Sequence, residues 1–262
     1  MKLYLMHYAI VSVPAAPIRR KPSHRKEMVN QLLFGESVKV LKTKGDLWVK
    51  VQSLHDGYIG WITNTMLQPI EDERANTMNI FATAEMLGSA LLGEKKIQIP
   101  VGSSLPFFEN GKGRLGEVEY HFSGKYLKRD EQVPSTELVT QLTTAWLNAP
   151  YLWGGRTPLG VDCSGFVQVI YKLMGIDLPR DAWQQAQVGK SVKKFSEVQP
   201  GDLAFFDNKE DIIHVGIILE NNMLIHSSGK VRMDLLTKKG IINSETGKKT
   251  LRLRAVRRIW EI

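Results

Sequence analysis

The chain has 262 residues, 43% of them hydrophobic, with 35 Lys/Arg against 27 Asp/Glu for a net charge of +8. That length and apolar content suit a soluble globular protein of two or three cored units. No uncharged apolar run approaches the roughly 18 residues of a membrane span, the single cysteine excludes internal disulfides, and neither a nucleic-acid-reading motif nor a helix dense in Lys/Arg accompanies the charge, so no membrane span is expected and nucleic acid is not an expected partner.

The charge is uneven: residues 1–70 carry ten Lys/Arg against four acids, 71–133 eight against ten, and 134–262 seventeen against thirteen. The sequence changes character at the same places, so three domains are expected, 1–70, 71–133 and 134–262. A basic face could meet an anionic envelope polymer. Leu3 to Ile18 is broken by Tyr4, His7, Tyr8, Pro14 and Pro17 and reads as a first strand rather than a signal peptide. The cytoplasm is the expected compartment, with the periplasm or cell envelope as the alternative, because a lone thiol suits either.

In the first segment "ESVKVLKTKGDLWVKVQ" alternates at Val38 and Val40, turns at Lys44-Gly45-Asp46, and alternates again at Leu47, Val49 and Val51. "LHDGYIGWI" adds a second hairpin signal at Asp56-Gly57. Closely spaced strands of this kind predict a small barrel. "KKIQIPVGSSLPFFENGKGRLGEVEYHF" again shows strand, an Asn110-Gly111 turn and strand, and predicts a second, degenerate barrel. Near Val133 the spacing becomes helical, with Leu138, Leu142, Ala145 and Trp146 on one stripe behind a cap framed by Ser135 and Leu138.

Cys163 stands at the next boundary. "GGRTPLGVDC" is broken by Gly154, Gly155, Pro158 and Gly160, whereas "SGFVQVIYKLMG" places Phe166, Val169, Ile170 and Leu173 at helical spacing and ends at Gly175. The thiol therefore falls at a helix N-terminus, where unpaired N–H groups and the helix dipole favour a thiolate and can receive an oxyanion. A buried small hydrophobe is the bland alternative.

"DIIHVGIILENNMLIHSSG" reads as two strands joined by Glu220-Asn221-Asn222. With that three-residue loop, and Asn222 left-handed, Gly216 faces His226 and His214 lies diagonal to it on the same sheet face. A two-residue loop would put the imidazoles on opposite faces. Two imidazoles on one face suit a base and an orienter for a thiol, although structural histidines or a metal pair are alternatives. The chain has no C-x-x-C or H-E-x-x-H, so no metal or other cofactor is expected.

"PYLWGG", "DCSGFVQVIYKLMGIDLPRDAWQQ", "VQPGDLAFF" and "HVGIILENNMLIHSSG" together resemble the NlpC-type papain-like cysteine peptidases of bacterial cell-wall metabolism over residues 134–262. "KEMVNQLLFGE" and "DGYIGWI" resemble the first bacterial SH3-like domain of the branch that acts as γ-D-glutamyl-L-diamino acid endopeptidases (dipeptidyl-peptidase VI). The resemblance implies an α+β fold, a papain-like domain of helices on an antiparallel sheet preceded by two small all-β SH3-like barrels. It implies Cys163 as nucleophile, His214 as base and acid, and His226 as orienter. The backbone N–H of Cys163 is one expected oxyanion donor; the second is unassigned. The implied substrate is a murein stem peptide or muropeptide with a free L-alanine amine, cut after L-Ala-γ-D-Glu, by a monomer.

Matching motifs make Glu27, Tyr58, Trp153, Asp162 and Ser164 the substrate-binding residues. Each of four has a structural alternative: a helix cap for Asp162, core for Trp153, a strand aromatic for Tyr58, a solvated charge for Glu27. A structural ion pair is expected of Arg180, and a turn contact of Asp202. Ala182 departs from the hydroxyl residue common in relatives, which puts the contact to the D-glutamate carboxylate in question. His7, His24, His55 and His121 match no motif and are expected at the surface. An amidase or acyltransferase on the same scaffold, or a silent envelope-binding protein, are the competing functions; the intact Cys163, His214 and His226 weigh against the last.

Overall fold

Alternation of apolar and polar residues dominates the first half of the chain, and strands follow from it. The computed structural model describes residues 7–71 and 80–261. The chain divides into two units, one formed by the chain to Gln132 together with Trp153–Pro158, the other by Val133–Leu152 and Leu159–Ile262.

In the first unit, β1 (Tyr8–Val11), β2 (Ala15–Arg19), β3 (Met28–Leu33), β4 (Ser37–Lys44), β5 (Trp48–Ser53), β6 (Ile59–Thr63) and β7 (Leu67–Ile70) form a seven-stranded sheet in the order β3-β2-β6-β5-β4-β1-β7. It closes on Ala9, Val11, Ala16, Ile18, Leu32, Val38, Val49, Val51, Ile62 and Leu67. Both expected hairpins form, with Gly45 and Gly57 at positive φ. Lys44 pairs with Trp48, so Leu47 belongs to the turn and β5 starts one residue later than the alternation suggests. The strand read from Leu3 is seen from Tyr8; Leu3–Met6 lies outside the described residues, as do residues 72–79 beside the expected 70/71 boundary.

Seven further strands follow: β8 (Phe81–Thr83), β9 (Leu87–Leu92), β10 (Lys95–Pro100), β11 (Ser104–Leu105), β12 (Lys112–Leu115), β13 (Val118–Phe122) and β14 (Tyr126–Lys128). They make two small sheets, β10-β9-β13-β12 and β11-β8-β14. Asn110 and Gly111 both take positive φ, as the hairpin between β12 and the preceding segment requires. The core of this part is shared: Ile10 and Ile70 of the first sheet, with Phe34 just after β3, join Ala90, Ile99, Leu105, Phe108, Leu115, Tyr120 and Phe122 in one apolar cluster. The short strand β15 (Arg156–Thr157) is fastened here by a buried fork, Arg156 Nη1 and Nη2 donating to Glu36 Oε2 and Oε1 at 2.8 and 3.0 Å. A bidentate pair of this kind adds geometric specificity to the attachment.

The second unit is α+β. Helix α1 (Thr136–Thr144) is capped by Ser135, whose Oγ accepts from Leu138 N at 3.1 Å. Its buried stripe is Val139, Thr143 and, just beyond its end, Trp146; Leu138 and Leu142 flank it and Ala145 is exposed. The buried stripe is thus offset by one residue from the expected one, and beyond Thr144 the chain tightens, with Trp146 N and Leu147 N bonding the carbonyls three residues back. After β16 (Gly160–Val161) come α2 (Cys163–Leu173) and α3 (Ala182–Gln185), and then an antiparallel sheet. Its strands are β17 (Lys190–Ser191), β18 (Leu203–Asp207), β19 (Ile212–Ile218), β20 (Met223–Ser228), β21 (Lys230–Thr237), β22 (Gly240–Ile242) and β23 (Arg252–Arg258), ordered β17-β23-β18-β19-β20-β21-β22.

All eleven residues of α2 are buried, and the helix packs on β19 and β20 at the middle of the sheet. Met174 and Gly175, at φ +81°, end it. No helix among the described residues is long and apolar enough to cross a membrane.

Candidate active site

Cys163 is the first residue of α2 because Asp162 caps it: Asp162 Oδ1 accepts from Gly165 N at 2.7 Å. Asp162 is itself clasped by Arg180, Nη1 to Oδ1 at 2.9 Å and Nη2 to Oδ2 at 2.6 Å, with Arg180 Nη1 also donating to Ser164 Oγ at 2.9 Å. The ion pair expected of Arg180 is therefore present, and Asp162 serves as helix cap and as its partner. The backbone N–H groups of Ser164 and of Val215, the residue that follows His214, both favour ionisation of the Cys163 thiol.

The loop Glu220–Asn222 sets the histidine register. Asn221 and Asn222 both adopt φ near +55°, and Ile217 pairs with Ile225 and Ile218 with Leu224. Continuing that register puts Gly216 opposite His226, and His214 two residues away on the same face. His214 Nε2 meets His226 Nδ1 at 2.7 Å. Gly216 makes room for this: a Cβ there would stand 2.9 Å from His226 Cβ and as close to Leu224.

A carboxylate completes the line. His226 Nε2 is 3.1 Å from Asp234 Oδ2, and Asp234 Oδ1 accepts from Ser244 N at 2.8 Å and from Arg232 Nη2 at 3.0 Å. Burial pushes the Asp234 carboxyl up, but the bonds from His226, Ser244 and Arg232 outweigh it and hold the group down at about 2. Asp234 was missed in the sequence, although the same register argument reaches it: Gly229, at φ +71°, turns the chain, His226 pairs with Arg232, and Asp234 lies diagonal to His226.

Burial works against the thiolate expected at the helix terminus. Burial, reinforced by the Asp162 charge, raises the Cys163 thiol to about 12; the N–H groups of Val215 and Ser164 and the Arg180 charge oppose this and lose. Burial, with His226 adding to it, lowers His214 to about 3. Both shifts oppose charge on the separate groups. Tyr151 stands within the same field: burial first, then the Cys163 and Asp162 charges, raise its phenol to about 12.

The other named residues fall in the first unit. Trp153 Nε1 donates to Glu27 Oε1 at 2.9 Å, and Arg20 Nε pairs with Glu27 Oε2 at 2.8 Å. Trp153 is 58% exposed, which rules out the core alternative. Tyr58 is half-buried against the first barrel's core, with its backbone N–H donating to Asp56 Oδ1 at 3.0 Å. Thus Glu27 and Trp153 are brought together in one unit, and Cys163, Asp162, Ser164, His214 and His226 belong to the other. Asp202 fixes its turn, accepting from Gln199 N and Arg258. Ala182 is buried at the start of α3. His7, His24 and His121 are exposed, and His55 is half-buried. Among the described residues no group of three His, Cys, Asp or Glu is set to hold a metal ion.

A cysteine-bearing helix on an antiparallel sheet that carries paired imidazoles is the arrangement of a papain-like fold. Comparison with known proteins gives the family. The NlpC/P60 family pattern matches residues 148–249, and the bacterial dipeptidyl-peptidase SH3 domain pattern matches residues 18–67. The chain is 34% identical over 218 residues to a γ-D-glutamyl-L-lysine dipeptidyl-peptidase of Bacillus subtilis, an alignment that spans 75% of this chain and 71% of that one. It is 25% identical to dipeptidyl-peptidase 6 of Lysinibacillus sphaericus over 84% of this chain and 87% of the relative. The crystal structure of an NlpC/P60 family protein from Bacillus cereus shares its fold at a TM-score of 0.80 and 23% identity, covering 96% of this chain and 99% of that one. The chain belongs to the NlpC/P60 family: it is a hydrolase of the cysteine peptidase class, with an N-terminal SH3 domain and an α+β fold.

Proposed function

We propose that Cys163, His214 and His226 are the catalytic set of a murein-peptide endopeptidase that cuts the bond between γ-D-glutamate and an L-diamino acid, releasing L-Ala-γ-D-Glu. The observation that carries this is the His214–His226 contact at 2.7 Å on the sheet on which α2, with Cys163 as its first residue, packs. His214 Nδ1 takes the thiol proton as Cys163 Sγ bonds to the γ-carbonyl carbon. The carbonyl oxygen gains the negative charge and is received by the Cys163 N–H, which has no partner within the helix at its first position. The Tyr151 hydroxyl, close enough to feel the thiol's charge, is the second donor in this reading. Imidazolium His214 then protonates the departing amine, and water, deprotonated by the same ring, cleaves the thioester.

The names of the relatives support the substrate class. The free alanine amine is assigned to Asp162 and Ser164; Glu27, Tyr58 and Trp153 are kept as substrate-binding residues by sequence resemblance. Asp162 already answers to Arg180, so the ammonium enters a pair that is neutral beforehand. The three expected domains, 1–70, 71–133 and 134–262, belong to this proposal, as does action by a monomer on released fragments in the cytoplasm. The test uses defined tripeptides, L-Ala-γ-D-Glu-L-Lys and its diaminopimelate counterpart, each free and N-acetylated, with products read by mass spectrometry. Release of the dipeptide from the free forms and none from the acetylated ones is expected, because a blocked amine loses its charge and adds bulk. Equal turnover of both would remove the amine-counting role, and cleavage at another bond would remove the proposed specificity.

A further inference from the structure

We infer that Asp234 is a positioning residue that sets the proton tautomers of both histidines and so keeps His214 Nδ1 free to accept the thiol proton. The inference rests on the reading of Cys163, His214 and His226 as the catalytic set.

The logic is a chain of donors and acceptors. An ionised carboxylate only accepts. His226 Nε2, 3.1 Å from Asp234 Oδ2, is therefore the protonated nitrogen of that ring, and His226 Nδ1 carries the lone pair. His226 Nδ1 in turn faces His214 Nε2 at 2.7 Å, so His214 Nε2 donates and His214 Nδ1 is left as the base. One negative charge at the end of the line decides the protonation of a nitrogen two rings away.

Asp234 is held for this task from the other side. Its Oδ1 accepts three donors, Ser244 N at 2.8 Å, Arg232 Nη2 at 3.0 Å and Arg232 Nε at 3.3 Å, which leaves Oδ2 aimed at His226. Glu245 shares Arg232 at 3.2 Å, and Lys230 lies 4.0 Å from Glu245. These and the two histidines are the charged and titratable groups around it, and Asp234 itself is 2% exposed.

The arrangement makes an unusual prediction for Asp234→Asn. The three donors keep Oδ1 where it is, so the new amide N–H faces His226 Nε2. That nitrogen must then accept, His226 Nδ1 becomes the donor, and His214 is forced to carry its proton on Nδ1, the wrong side for catalysis. An inverted tautomer in a Ser-His-Asp triad costs about 10⁴ in kcat, and with a second ring interposed a loss of about 10²- to 10³-fold is expected here, at a KM within about threefold of the native value. Asp234→Ala forces no tautomer and leaves a mixture, so its kcat should lie above that of Asp234→Asn despite the poorer packing. A merely structural aspartate would give the reverse order, because asparagine preserves the shape and the bonds to Arg232 and Ser244.

The experiment measures kcat and KM of full-length native, Asp234→Asn, Asp234→Ala, Cys163→Ala and His214→Ala proteins on L-Ala-γ-D-Glu-L-Lys. Nitrogen-15 spectra of the histidine rings are recorded for the native and Asp234→Asn proteins. Support is the kcat order native, then Ala, then Asn, with His214 Nδ1 changing from unprotonated to protonated in the Asn variant. Should the Ala variant not fold, the ring spectra of the Asn variant decide alone. Native-like kcat and tautomers in Asp234→Asn, with Cys163→Ala and His214→Ala inactive, would overturn this inference and leave the catalytic set standing. Activity in Cys163→Ala or His214→Ala would instead overturn the catalytic set itself.

Discussion

On the proposed catalytic set, Cys163→Ser and His214→Ala should each lower kcat by about 10⁵-fold or more, with the double variant scarcely worse than either, because a nucleophile and its base act as one unit. Burial raises the thiol to about 12 and lowers the imidazole to about 3, so in the proposed mechanism Cys163 attacks the substrate as His214 takes its proton, and losing either group makes the loss steep. His226→Ala should cost less, about 10³-fold, since it removes the ring that orients the base and leaves the base in place. The double-variant comparison on the defined tripeptide is the check. Losses that multiply would mean that thiol and imidazole work independently, contrary to the geometry.

The second large effect is in pH. Alkylation of Cys163 by iodoacetamide should rise about tenfold per pH unit from 6 to 9 without a plateau, since only the thiolate reacts and burial keeps its fraction small. A resting thiolate–imidazolium pair would instead give a flat rate from about pH 5 upward. Stability should follow the same groups with opposite signs. His214 is depressed in the fold, so its contribution is whole above its unfolded value, about 6.5, and is lost as pH falls towards about 3. Cys163 is raised, so its contribution is whole below the unfolded thiol value, about 8.5, and is lost as pH climbs towards about 12. Chemical denaturation across pH should therefore show greatest stability between about 6.5 and 8.5. A maximum at pH 5 would contradict the buried neutral pair.

Much of this site could be read from the chain before any coordinates. The loop Glu220–Asn222 determines register by its length, and register alone determines that His214 and His226 share a face. Asp162 before a helical run marks the helix start, and with it the place of Cys163. What the residues could not convey is enclosure. The dipole argument for a thiolate is sound for an exposed terminus, but all eleven residues of α2 are buried and desolvation prevails. Asp234 escaped for a related reason. A carboxylate two residues beyond an arginine after a glycine turn looks like a solvated edge, and only the continuation of β20 into β21 brings it under His226. On α1 the apolar periodicity points to Leu138 and Leu142, whereas Val139 and Thr143 are the buried pair, because Thr143 bonds its hydroxyl to the Val139 carbonyl and so can be buried despite being polar. Trp153 and Glu27, far apart in sequence, meet through a hydrogen bond that motif resemblance grouped but could not locate.

The most direct test of a nucleophilic Cys163 is active-site labelling with the diazomethyl ketone of L-Ala-γ-D-Glu, followed by intact-mass and peptide mass spectrometry. One adduct per chain on the Cys163 peptide, formed in proportion to lost activity and absent from the His214→Ala protein, is the expected result. Inactivation that leaves Cys163 unmodified, or a label carried by another residue, would contradict it.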